Sequence, residues 1–76
     1  MFFIHSVEQL LNTMKVVGAQ WTHFINIQTR EQSKLEEMPL LHAENLVLSR
    51  ADSTIYRIVD DSFVPVYLLY AEGGGQ

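Results

Sequence analysis

The first regular pattern along the chain is a helical one. Val7, Leu10, Leu11, Met14 and Val17 recur at the i, i+3, i+4, i+7, i+10 spacing that lays apolar side chains along one stripe of an α-helix. Ser6-Val7-Glu8-Gln9 reads as a capping box, with the Ser hydroxyl and the Gln amide each satisfying a backbone donor at the helix start. Glu8 in the first turn and Lys15 in the last both complement the helix dipole, and Gly18 stands where a glycine ends a helix in a left-handed conformation. A helix from Val7 to Val17 follows. Phe2 to Ile4, just before it, reads as a short strand or an arm packed on the same core.

From Gln20 to Thr29 the period changes to two. Trp21, His23, Ile25 and Ile27 alternate with Thr22, Phe24, Asn26 and Gln28, which predicts a strand whose Trp21 side is mostly apolar. Arg30 to Met38 is polar and charged, and within it Ser33-Lys34-Leu35-Glu36 can cap a short helical turn that Pro39 stops. Leu40 to Glu44 fits either a helical or an extended backbone. Asn45 to Arg50 reads as a strand, closed by a turn at Ala51-Asp52-Ser53.

The stretch Ser53 to Ala71 reads as two strands joined by an Asp-Asp-Ser turn. In its first half Ile55, Arg57 and Val59 share a face, opposite Thr54, Tyr56, Ile58 and Asp60. In its second half Val64, Val66, Leu68 and Tyr70 oppose Phe63, Pro65, Tyr67, Leu69 and Ala71. Both sides of this last strand are apolar, and such a strand expects cover on both sides. Pro65 has no N–H to give to a ladder, so the strand is expected at a sheet edge, or with its start outside the ladder.

These elements make an α+β fold, with one N-terminal helix packed on a small antiparallel sheet of about four strands ending in a C-terminal meander. Residues 1–72 are expected to form a single compact domain and 73–76 a flexible glycine-rich tail. A helix of about eleven residues is about 16 Å long and covers one face of a small sheet. The other face, still apolar in the last strand, therefore invites a second polypeptide, and a homodimer is expected.

Composition narrows the classes of function. A 76-residue chain buries only about 60% of the surface exposed on unfolding, and with no cysteine it has neither disulfides nor thiolate metal sites to support it. The net charge of −4 and the scattered positions of Lys15, Arg30, Lys34, Arg50 and Arg57 argue against direct nucleic-acid binding. No signal peptide or membrane span is visible, so a cytoplasmic protein is expected.

The candidate chemistry is sparse. His5, His23 and His42 show no metal-ligand spacing, and no cofactor is expected. Asp60 and Asp61 could do acid–base work as a carboxylate pair, but turn chemistry explains them better. The serines have no flanking glycines of a nucleophile elbow. Gly73-Gly74-Gly75 follows a strand, but no helix comes after it to hold a phosphate. The ending Gly74-Gly75-Gln76 resembles the Gly-Gly-Gln end of the prokaryotic ubiquitin-like protein, which implies a modifier joined to lysines after deamidation of its last residue. The resemblance covers three residues. That family is disordered and charged, whereas this chain is patterned throughout.

Aromatic residues with a neighbouring arginine are the material of binding hot spots. On that ground Trp21, Tyr56, Arg57, Phe63, Tyr67 and Leu69 are the candidate partner-binding residues. The chain is expected to be no enzyme but a small interaction module that binds a larger protein through an apolar sheet surface. In size, acidity and lack of cysteine it resembles accessory, inhibitory products of phage and mobile elements. An alternative is an acidic mimic of nucleic acid, with Glu31, Glu36, Glu37, Glu44, Asp52, Asp60 and Asp61 in the place of phosphates.

Overall fold

A computed structural model describes residues 2–40 and 43–72. The elements in chain order are β1 (Phe2–Phe3), α1 (Val7–Val17), β2 (His23–Asn26), β3 (Gln32–Lys34), a 3-10 turn at Leu35–Glu37, a second at Ala43–Asn45, β4 (Leu46–Ser49), β5 (Thr54–Val59) and β6 (Ser62–Tyr70). One helix packs on one antiparallel sheet, as the sequence pattern predicts. The sheet has six strands, in the order β1-β4-β5-β6-β2-β3, rather than about four. The two extra strands are the edges. β1 pairs with β4 some forty-five residues later, Phe2 opposite Leu48, and β3 arises within the polar stretch after Thr29.

The helix forms where its caps and stripe place it. The Ser6 hydroxyl accepts the Gln9 N–H at 3.1 Å, while the Gln9 side chain reaches one residue further back than a standard capping box, to the His5 N–H at 2.6 Å. At the other end Gly18 is left-handed with φ +76°, and its N–H returns to the Met14 carbonyl. Leu10 and Met14 are buried, and Val7 packs at the margin.

All strand pairs are antiparallel, so β1 and β2 run in the same direction with β4, β5 and β6 between them. The helix is the crossover that joins β1 to β2. Four strand spacings are about 19 Å, and α1, at eleven residues, is about 16 Å long. It therefore lies over the centre of one face only. There Leu10 and Met14 meet Ile4, Phe24, Leu46, Leu48, Ile55, Tyr67 and Leu69, with Leu35 and Met38 closing the core from the 3-10 turn. The Tyr67 hydroxyl donates to the Pro39 carbonyl at 2.7 Å and fastens that segment to β6.

The face assignments of two strands differ from the simple alternation. In β2 the buried residue is Phe24, not the Trp21 side, so His23 and Ile25 point away from the helix. In β6 a bulge intervenes: Tyr67 lies opposite Ile55 and Pro65 opposite Tyr56, leaving Val66 as the extra residue. Phe63 and Pro65 therefore share a face with Leu68 and Tyr70, while Val64 shares the helix side with Tyr67 and Leu69. One inserted residue reverses every side chain beyond it.

The bulge also accommodates Pro65. β6 is a central strand where it pairs with β2, but that pairing ends near Val66, whose carbonyl accepts the Ile27 N–H at 2.9 Å. Beyond it β6 has β5 alone for a neighbour. Asp60 (φ +49°) and Asp61 (φ +64°) make the β5–β6 connection a two-residue turn with both residues left-handed, the I′ geometry. In that register Val59 pairs with Ser62, and Pro65 sits where its missing N–H would face outward from β5. No ladder bond is lost.

Candidate functional site

The sheet face away from the helix has no cover among the described residues. Read across the register, one row runs Phe3, Val47, Tyr56, Pro65; the next, towards the hairpin tip, is Ile58, Phe63; the next on the other side is Ser49, Thr54, Leu68, Ile25, Gln32. A last row holds Tyr70, His23 and Lys34. Val47 is buried between its ladder neighbours, but Phe3, Phe63 and Leu68 are 55%, 50% and 38% exposed. No Asp, Glu, Lys or Arg stands on this face in β1, β4, β5, β6 or β2. An apolar patch whose one charged strand residue, Lys34, stands in the edge strand β3 marks a contact surface on a small protein.

Two aromatic contacts shape the patch. Tyr56 and Phe63 lie with ring centroids 6.1 Å apart, and His23 lies 5.6 Å from Tyr70. The Tyr56 hydroxyl donates to the Asp52 carboxylate in the β4–β5 turn. That bond holds the Asp52 carboxyl below the ordinary aspartate range and pushes the Tyr56 phenol above the ordinary tyrosine range.

The six residues expected to bind a partner divide between the two faces. Tyr56 and Phe63 lie on the open face. Tyr67 and Leu69, at 7% and 3% exposure, are core residues under the helix, and burial pushes the Tyr67 phenol up, against a smaller downward pull from Arg57. Trp21 packs half-buried against the core. Arg57 shares the helix side with Ile55 and lines a cleft of about 560 Å³ together with Asn26, Val59, Val64 and Tyr67. Phe3, Leu68 and Ile25 complete the open face and are not among the six. The alternation of β2 could have flagged Ile25, but Leu68 needed the bulge to be known.

A polar cluster stands at the end of β2. The Thr22 hydroxyl and His23 Nδ1 are 2.7 Å apart, His23 Nε2 lies 3.2 Å from the Glu72 carboxylate, and the Glu72 N–H donates back to the Thr22 hydroxyl at 2.9 Å. Hydroxyl, imidazole and carboxylate are in relay order. Nucleophilic catalysis also needs a substrate cavity and donors for an oxyanion, and the cleft beside Arg57 does not include these groups. The cluster acts as a clasp that ties the chain after β6 back to β2.

No family model matches the chain, and no curated protein or solved structure is similar to it. The functional reading rests on the geometry alone. Among the described residues no three His, Asp or Glu side chains gather as metal ligands, and no helix is long and apolar enough to cross a membrane. Asp52 and the pair Asp60 and Asp61 stand at opposite ends of β5, so those carboxylates form no continuous track. Gly73 to Gln76, with the expected flexible tail and the Gly-Gly-Gln ending, lies outside the described residues.

Proposed function

We propose that this chain is a non-enzymatic protein-interaction module that works by presenting its open sheet face to another polypeptide. The observation that carries the reading is the set of exposed side chains Phe3, Phe63 and Leu68, in three neighbouring rows of a face whose only Asp, Glu, Lys or Arg in a strand is Lys34 in the edge strand β3. Covering Phe63 alone, half exposed as it is, recovers on the order of 1–2 kcal/mol. The fuller reading makes it a cytoplasmic accessory or inhibitory protein that covers part of a larger target.

The test compares proteins retained from a cell lysate by the immobilised wild-type chain, by Phe63→Glu, by Leu68→Glu and by Val16→Glu. Val16, 80% exposed on the helix, is the control. The reading expects a protein held by the wild type and the control, lost by both open-face variants, and little affected by salt. A captured set that the open-face substitutions leave unchanged contradicts it.

A further inference from the structure

We infer that the occupant of the open sheet face in the chain on its own, with no target present, is a second copy of this chain, packed face to face; the inference rests on the reading of that face as a contact surface. Three observations point to a copy rather than to a peptide or a charged partner.

The first is the state of the edges. A peptide adding as a strand needs a long, unblocked edge, but β1 has two residues and β3 three, the latter with exposed Gln32 and Lys34. The free edge of β6 near the hairpin tip carries Pro65, which cannot donate. Edge addition is blunted on every side, and the face remains.

The second is charge. The chain carries five basic and nine acidic residues, yet on the open face β1, β4, β5, β6 and β2 carry none of them, and the edge strand β3 carries Lys34 alone. A partner chosen by charge would meet only Lys34 at the β3 edge, whereas the apolar centre of the face complements itself and leaves no ion buried alone. Asp52, Asp60 and Asp61 lie in the turns at the two strand ends, at the rim of such a contact.

The third is shape and area. Six strands at about 4.8 Å are about 29 Å wide, and the longer strands give the face a height of about 20 Å, so its projection is on the order of 500 Å². Two copies then bury somewhat more than about 1,000 Å², enough for a specific interface at the weak end of the range. Sheet faces pack in aligned pairs about 10 Å apart with their side chains interleaved. Phe3 and Phe63 stand proud at two margins while Val47, beside Phe3, and Thr54, beside Leu68, are buried. That relief suits an interleaved pair, in which the contact is isologous and closes at two copies.

Sedimentation equilibrium over a concentration series, with the purified chain, decides it. The expected result is a monomer–dimer equilibrium with a dissociation constant in the micromolar range. Phe63→Glu and Leu68→Glu should each weaken it by roughly 30-fold or more, with far-UV circular dichroism unchanged because both residues are partly exposed already. Val16→Glu should leave it as in the wild type. A wild type that stays monomeric to roughly 100 μM overturns the inference, and so does a dimer that both open-face variants preserve. A monomeric wild type that still loses a lysate partner through Phe63→Glu would leave the contact surface standing and remove only the copy as its occupant.

Discussion

Leu68 and Leu69 are neighbours of the same residue type in the same strand, so alternation puts them on opposite faces, and the register puts Leu69 on the helix side with Ile55 and Tyr67 and Leu68 on the open side with Thr54. Replacing each by alanine measures that placement. Leu69 is 3% exposed among Phe24, Ile55, Tyr67 and the helix residues, so Leu69→Ala removes buried methylenes and leaves a cavity, a cost of about 2–5 kcal/mol. A domain of this size has a total stability of about 4–11 kcal/mol, so the loss is a large part of it, and at about 3 kcal/mol the melting temperature falls by 12 °C or more. Leu68 is 38% exposed and meets no helix, so Leu68→Ala should cost below about 1 kcal/mol. The assay is urea and thermal unfolding followed by the fluorescence of Trp21, the only tryptophan, at submicromolar protein, where association does not add to stability. Equal losses for the two variants, or a greater loss for Leu68→Ala, would refute the assignment of Leu69 to the helix side and of Leu68 to the open face.

Three further outcomes follow from local structure. Asp61→Gly should raise stability by about 0.5–1 kcal/mol in denaturant titration, because φ +64° suits glycine better than an L side chain. Ser6→Ala removes the hydroxyl that accepts the Gln9 N–H and should lower the unfolding midpoint by an amount worth about 1 kcal/mol. Burial raises the Tyr67 phenol above its ordinary value of 10.0, so its contribution to stability is full below that pH and is lost as pH rises beyond it. Tyr67→Phe should flatten that part of the alkaline decline in a stability–pH profile, while costing about 1 kcal/mol at neutral pH for the bond to Pro39.

The helix was legible in full because its signals are local: one stripe, one cap and one glycine, all within thirteen residues of one another. The β4–β5–β6 meander was legible for the same reason, with turns at Asp52 and at Asp60 and Asp61. β1 was half legible, since Phe2 and Phe3 find their partners only through pairing with Val47 and Leu48. β3 was hidden by its polar residues. Its signal lay upstream, in Asn26, whose side chain accepts the N–H groups of Gln28 and Thr29 at 3.0 and 3.2 Å and so turns the chain back on β2. The candidate surface was legible as a surplus of apolar strand but misplaced by one residue step. Tyr67 and Leu69 were grouped with Phe63 because strict alternation was carried through Pro65 and Val66, where a residue without an N–H favours a bulge.

The claim that the open face is covered by another copy is tested most directly by nuclear magnetic resonance with a soluble gadolinium chelate, which broadens side-chain signals that solvent can reach. The account predicts that Phe3, Phe63, Ile25 and Leu68 are reached in dilute solution and become protected as the protein is concentrated, while Val16 on the helix stays reachable throughout. Open-face signals that remain as accessible as Val16 at the highest concentration would contradict it.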